Sequence, residues 1–150
     1  MSSVVLLIFN VFAYAAFAVS VRHGLLSLLV TTDQTYLSLF ITVLALGSGG
    51  YACLQASLKF IGQDVDNKHR NFIADCNQFA VLFGFLGTVI GIIIALHHID
   101  PSKADTATGA LDIIGGMIQG LYTTLYTTAC GIVAYMWGYI NYRLLGGDRE

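Results

Sequence analysis

The sequence predicts an all-α integral membrane protein built as one bundle of four transmembrane helices. Hydrophobic residues make up 56% of the 150 residues and charged residues only 11%, with a mean hydropathy of +0.72. Soluble domains, in contrast, are about one quarter charged. Four apolar runs each approach the ~20 residues that cross a bilayer. In hydrocarbon every backbone group needs a partner within its own segment, so each run is expected to be a helix.

Short polar connections separate the runs and predict a single domain over residues 1–150. The first run closes at Arg22 and His23, the second at GQDVDNKHR, and the third at HHIDPSK. The fourth is followed by NYRLLGGDRE. Helix is expected to continue from both sides into the middle connection. The spans are predicted at about residues 4–21, 36–61, 79–96 and 113–140.

The first run has one feature of a secretory signal peptide, because AYAAFA looks like a cleavage site. Signal peptides carry Lys or Arg ahead of the apolar region, and the opening MSS carries neither. We therefore expect the run to be a retained helix.

Basic residues beside the spans predict the orientation. The middle connection and the C-terminal end carry Lys59, Lys68, Arg70, Arg143 and Arg149. The other two connections carry only Arg22 and Lys103. Because Lys and Arg favour the cytoplasmic side, the middle connection and both termini are expected in the cytoplasm.

Several function classes are disfavoured by composition. The formal charge of −2 argues against a nucleic-acid partner, which requires a basic surface. Cys53, Cys76 and Cys130 have no metal-ligand spacing and are expected to be small buried residues. No catalytic triad or other catalytic spacing is recognisable, so an enzyme is not expected.

Small and hydroxyl residues recur on one face of each of the last two predicted helices. On the third the spacing is i, i+3, i+4, i+7 and i+11, and the fourth has a similar face. These faces consist of Gly84, Gly87, Thr88, Gly91 and Ala95, and of Gly116, Gly120, Thr124, Thr128, Gly131 and Tyr135. Helices in lipid associate through such close packing, so packing alone accounts for the glycines.

The threonines suggest a second interpretation. Thr123, Thr124, Thr127 and Thr128 stand together in the fourth run, and their hydroxyls could line a path for an ion. None of the four runs has Asp, Glu, Lys or Arg in its middle. Because ion-moving chains generally carry a charge for that purpose, a titrating carboxylate would have to come from another chain.

Two stretches resemble the MotA/TolQ/ExbB proton-channel family. LFGFLGTVIGI, residues 82–92, is similar to that family's pore-lining helix, and LYTTACGIVAYMWGYINYRL, residues 125–144, is similar to its last helix. By this resemblance Thr88 and Thr128 match pore-facing threonines, with Gly87 and Gly91 beside the first. Thr124 and Thr127 join them as candidate path residues. Gly84, Gly116, Gly120 and Gly131 are expected to pack on the pore face.

The resemblance also implies an assembly. A homopentamer of this chain would surround two copies of a single-span partner of the MotB/TolR/ExbD type, which supplies the aspartate. Such a complex is a rotary motor of the bacterial inner membrane driven by H⁺ or Na⁺, with no cofactor. The glycine faces are then expected to turn toward the axis of the ring.

The sequence departs from the family in three respects. The middle connection is short, and Thr123 stands where one branch has a glutamate. Pro101 lies in a predicted external connection, so the helix prolines of family members are missing. Four spans favour the MotA-like arrangement.

Two other classes stay open at the sequence level. One is a structural or assembly subunit of a membrane complex. The other is a haem-binding membrane anchor, because His23, His97 and His98 are all expected near the outer surface.

Overall fold

The computed structural model describes residues 2–33, 35–63, 67–100, 102 and 106–146. Within these residues the fold is entirely helical and contains no strand. The five helices are α1 (Ser2–Arg22), α2 (Leu25–Thr32), α3 (Leu37–Phe60), α4 (Asn67–His97) and α5 (Ala107–Leu145).

Three of the helices are long and apolar enough to cross a membrane. They are α1, from Ser3 onward, α3, and α4 from Lys68 onward. The 39-residue α5 is long enough but is not among them, because its glycines, threonines and tyrosines lower its hydropathy. A fourth span therefore remains a prediction. Helix continues into the middle connection from one side only: α4 begins at Asn67, twelve residues before the predicted span, whereas α3 ends at Phe60 and does not extend past its predicted span.

The first connection contains a helix that was not predicted. Gly24 has a φ of 90° and breaks the chain between α1 and α2. Thr31 of α2 lines a small pocket together with Gly115 and Tyr122 of α5. The connection therefore does not leave the bundle at Arg22 but continues along α5.

Two apolar clusters hold the long helices together. Leu6, Ile73 and Leu145 join α1, α4 and α5 to alanines of α3. Nearer the start of α3, Ile41 packs with Ala80 and Ala134. The α4 and α5 helices form an antiparallel hairpin, α3 lies across one side of it, and α1 packs against α3 and α5.

Two cationic side chains hold the C-terminal end of α5. Lys59 Nζ donates to the carbonyl of Leu145 at 3.1 Å, and Arg70 Nη1 donates to the carbonyl of Gly146 at 2.8 Å. Gly146 ends the helix with a φ of 100°. Positive charge is favourable here because the last carbonyls of a helix are unpaired and carry the negative end of its dipole.

Candidate functional site

The glycines of α4 and α5 form a seam in which the two backbones touch. A Cβ on Gly84 would lie 3.3 Å from the Cα of Gly131, and one on Gly91 would lie 2.8 Å from the carbonyl oxygen of Gly120. A Cβ on Gly87 would overlap Thr127, and one on Gly116 would overlap the ring of His98. All six glycines named from the sequence are buried in this seam.

In the single chain these glycines therefore do not form an open face, and their place in an assembled ring stays a prediction. Periodicity identifies which residues share a face of a helix, but it does not identify what covers that face. Here the two faces cover each other within one chain. A pore face must instead be sought at the rim of the seam.

Two threonine hydroxyls meet at this rim. Thr88 Oγ1 lies 2.6 Å from Thr128 Oγ1. Thr88 Oγ1 is also 3.1 Å from the carbonyl of Gly84, and Thr128 Oγ1 is 2.8 Å from the carbonyl of Thr124. Two hydroxyl protons thus serve three hydrogen-bonding contacts. One hydroxyl can donate to the other or to its own helix, and lone pairs remain for an outside donor or cation.

The hydroxyl pair is half-buried and faces away from α3. Phe83 and Ala134, which lie on the α3 side, are about 140° from Thr88 and about 120° from Thr128 around their helices. The neighbours on the open side are exposed apolar residues. They are Phe85, Ile92, Leu125 and Ile132.

The other two candidate path residues are placed differently. Thr124 is half-buried, and its Oγ1 lies 3.1 Å from the carbonyl of Gly120 and 3.4 Å from that of Thr88. Its Oγ1 also occupies the Cβ position of Gly91, so Thr124 packs at the edge of the seam beside the hydroxyl pair. Thr127 is fully buried against Gly87, and its Oγ1 lies 2.9 Å from the carbonyl of Thr123. It packs in the seam and does not face the open side.

A buried carboxylate was missed by the sequence interpretation. Asp33 is fully buried and accepts hydrogen bonds from the Thr35 hydroxyl at 2.6 Å and from the backbone N–H of Ser38 at 2.7 Å. Burial raises the pKa of Asp33, but hydrogen bonds from Ser38 and Thr35 outweigh burial and hold the pKa below its ordinary value. The carboxylate caps the start of α3. The sequence signal was an Asp with Thr two residues later, directly before an apolar run.

His23 and His98 lie at different levels of the bundle. His98 lies over Gly116, whereas the turn at His23 is flanked by Ser20 and Leu25, which line a groove with Tyr126. Gly116 and Tyr126 are ten residues apart on α5, or about 15 Å. The expectation that the histidines share one surface is therefore not supported. Within the described part of the chain, no three His, Cys, Asp or Glu side chains are grouped to hold a metal ion.

These features define an all-helical membrane protein whose longest hairpin carries hydroxyls on an uncharged rim. Residues 53–146 match the family model of the MotA/TolQ/ExbB proton channel family. The match covers more than half of the chain, so the chain belongs to this family, whose members are channel proteins. No match was found among curated proteins or among solved structures.

Proposed function

We propose that this chain is the ion-channel-forming subunit of a rotary motor in the bacterial inner membrane. It uses the proton or sodium gradient together with a single-span partner of the MotB/TolR/ExbD type. Family membership supports ion conduction. The observation that links the proposed function to particular residues is the 2.6 Å contact between the Thr88 and Thr128 hydroxyls.

The chemistry of the hydroxyl pair suits a partner's carboxylate. Neither α4 between Gly84 and Ala95 nor α5 between Gly116 and Gly131 contains a charged residue. A carboxylate that enters from another chain thus meets no competing charge at the rim. Two neutral hydroxyls can donate to it when it is ionised and accept from it when it is protonated. They lower the barrier to exchanging an ion without holding the ion permanently.

The open side of the rim supports an assembly around that partner. Phe85 and Leu125 are 62% and 64% exposed in the single chain, so the hydroxyls lie in an apolar surface that another helix can cover. A ring of five chains around two partner helices would place the rims toward the axis. The seam glycines would then fix the distance between α4 and α5 in each chain.

The basic residues support the proposed orientation. Lys59 and Arg70 converge on the C-terminal end of α5, so the last turn of α3, the first turn of α4 and the last turn of α5 lie at one end of the bundle. By the charge rule that end is cytoplasmic. Cysteine labelling in intact cells should find residues 64–70 inside and residues 101–105 outside, and the opposite pattern would reverse the proposal.

The hydroxyl pair is tested by removing hydroxyls at nearly constant volume. Thr88→Val and Thr128→Val are expected to leave expression and assembly normal, because hydroxyl bonds inside membranes average only ~0.6 kcal/mol. A barrier raised by ~2 kcal/mol would slow ion flux about thirtyfold. Flux is measured in vesicles that contain the chain with its partner, and motor output is measured in cells.

Two matched controls separate the hydroxyl from the helix. Thr128→Ser keeps the hydroxyl and is expected to keep most of the flux. Thr127→Val makes the same change one residue away, inside the seam, and is expected to leave flux unchanged. Wild-type flux in both rim variants would remove the path role and leave a structural or assembly subunit as the better account.

A further inference from the structure

Each of the four long helices contributes one buried carboxamide side chain to the same part of the bundle. Asn10 of α1 is 0% exposed, Gln55 of α3 is 7%, Asn77 of α4 is 5% and Asn141 of α5 is 1%. They lie within about two turns of the apolar cluster around Leu145. An uncompensated buried amide is unfavourable, so its partners have to be accounted for.

Hydrogen bonds fix which way two of these amides point. Trp137 Nε1 can only donate, and it lies 2.9 Å from Asn10 Oδ1. Asn10 Nδ2 then donates to the carbonyl of Leu6 at 3.0 Å and to Asn141 Oδ1 at 2.5 Å. The oxygen of Asn141 therefore faces α1, and its Nδ2 faces away from that bond.

Asn141 Nδ2 is a buried donor without an acceptor among the described residues. Among the other buried amides, Asn77 can be located relative to Asn141 through α5. Gly138, three residues earlier and about 4.5 Å along the helix, has its Cβ position filled by the Asn77 amide. The Asn77 amide therefore lies within about one turn of Asn141 along α5, on the side where α4 packs.

We propose that Asn141 forms one wall of a binding site for a single buried water molecule, which accepts from Asn141 Nδ2 and bridges toward Asn77. The chemistry selects a neutral ligand. The described partners are amides and carry no net charge, and an outward-pointing N–H group opposes a cation. Buried waters typically make about three hydrogen bonds to otherwise unsatisfied polar groups, which the amides of neighbouring helices supply.

The site does not depend on ion conduction. Its consequence is a polar connection through the bundle interior, from Trp137 and Asn10 through Asn141 and the water to α4. In lipid such polar contacts add specificity that apolar packing lacks. The water would fix α4 against α5 at Asn141, the same residue to which Asn10 attaches α1.

The first test uses the unaltered chain. In the ¹⁵N-labelled full-length protein in nanodiscs, the side-chain NH₂ of Asn141 is expected to show a nuclear Overhauser effect to a long-lived water. A resolved NH₂ signal without that effect would overturn the proposal.

The second test is a double-mutant cycle. Asn141→Leu, Asn77→Leu and the double variant are unfolded with SDS and followed by the emission of Trp137, the single tryptophan. A bridging water predicts that the double variant loses less stability than the sum of the single losses. The control is the exposed Asn71→Leu on α4, which should add independently to Asn141→Leu. Additive losses from Asn77 and Asn141, or a stability gain in Asn141→Leu, would contradict the proposal.

Discussion

The α4–α5 seam and the attachment of α1 represent two different ways of joining helices. In the seam, backbone lies against backbone and Cβ positions at Gly91 and Gly120 are already occupied. Along α1, a groove of about 650 Å³ remains open between α1, α3 and α5, and a few polar bonds from Asn10 hold the contact. The α4–α5 seam therefore depends on close packing of two backbones, whereas the attachment of α1 depends on a few hydrogen bonds. The two joints should therefore respond differently to the same kind of substitution.

The largest effect is expected from adding one methyl group to the seam. In Gly120→Ala the new Cβ would lie 2.5 Å from the backbone oxygen of Gly91. Backbone cannot rotate away, so we expect a loss at the upper end of the ~1–3 kcal/mol typical of overpacking. The unfolding midpoint in SDS measures this.

Gly115→Ala is the matched control, since nothing lies within 4 Å of its Cβ position. Higher helix propensity should make it neutral or more stable by up to ~1 kcal/mol. Equal effects at the two glycines would mean that the seam is not tightly packed.

The next effect concerns Asp33, which precedes α3 and accepts a hydrogen bond from the first turn of that helix. Asp33→Ala removes the acceptor for the N–H groups of Thr35 and Ser38 and is expected to lose ~1–2 kcal/mol. Asp33→Asn keeps an acceptor and should lose less. Thermal unfolding of both variants at neutral pH provides the comparison, and a larger loss in Asp33→Asn would contradict the capping role.

The same carboxylate gives a pH dependence. Because its pKa in the folded chain is below the ordinary value, its contribution is present above the unfolded pKa of ~3.9. The contribution is lost as pH falls through the folded pKa. Wild-type stability should therefore fall more steeply on acidification than that of Asp33→Asn, and parallel curves would argue against an ionised Asp33.

A comparable effect is expected where Asn10 attaches α1. Asn10→Leu removes the hydrogen bonds to Leu6, Trp137 and Asn141, and membrane hydrogen bonds average ~0.6 kcal/mol each. We expect a loss of about 1–2 kcal/mol and easier proteolysis of α1. Ser20→Ala removes a hydroxyl bonded to its own helix and should behave as wild type. If both variants behaved alike, α1 would be held by apolar contact alone.

The smallest effect is expected in the groove. Ala16 lines it, so Ala16→Leu should be accepted with a change below ~0.5 kcal/mol or a small gain from filled space. A marked loss, measured in SDS, would show that the groove is already filled by a tightly bound neighbour. Ala15→Leu, outside the groove lining, controls for the added hydrophobicity.

The comparison also explains what the sequence could predict. Apolar run length located four of the helices, and the family resemblance named Thr88 and Thr128 together. Periodicity could not tell a face that covers another helix from one that lines a pore, so the glycines were assigned to a pore face. Thr127 was named as a path residue from the cluster of four threonines, which does not show which hydroxyls are buried. Asn10, Gln55 and Asn141 stand in the sequence as single amides within or beside apolar runs. Only tertiary packing shows that all three are buried and that Asn10 bonds to Asn141. The threonine and glycine content that marks α5 as unusual also keeps its hydropathy below that of α1, α3 and α4.

The length of α5 has a mechanical consequence. Its 39 residues extend about 58 Å at 1.5 Å per residue, about twice the ~30 Å of bilayer hydrocarbon. A helix of this length that crossed the bilayer would extend well beyond the apolar layer. Thr128 and Gly146 are 18 residues apart, or about 27 Å, so a tilt of about 5° at Thr128 moves the far end by about 2 Å. That displacement is enough to break the hydrogen bonds from Lys59 and Arg70, whose lengths are 3.1 and 2.8 Å. A small movement at the hydroxyl pair would thus break contacts at the C-terminal end of α5, about 27 Å away.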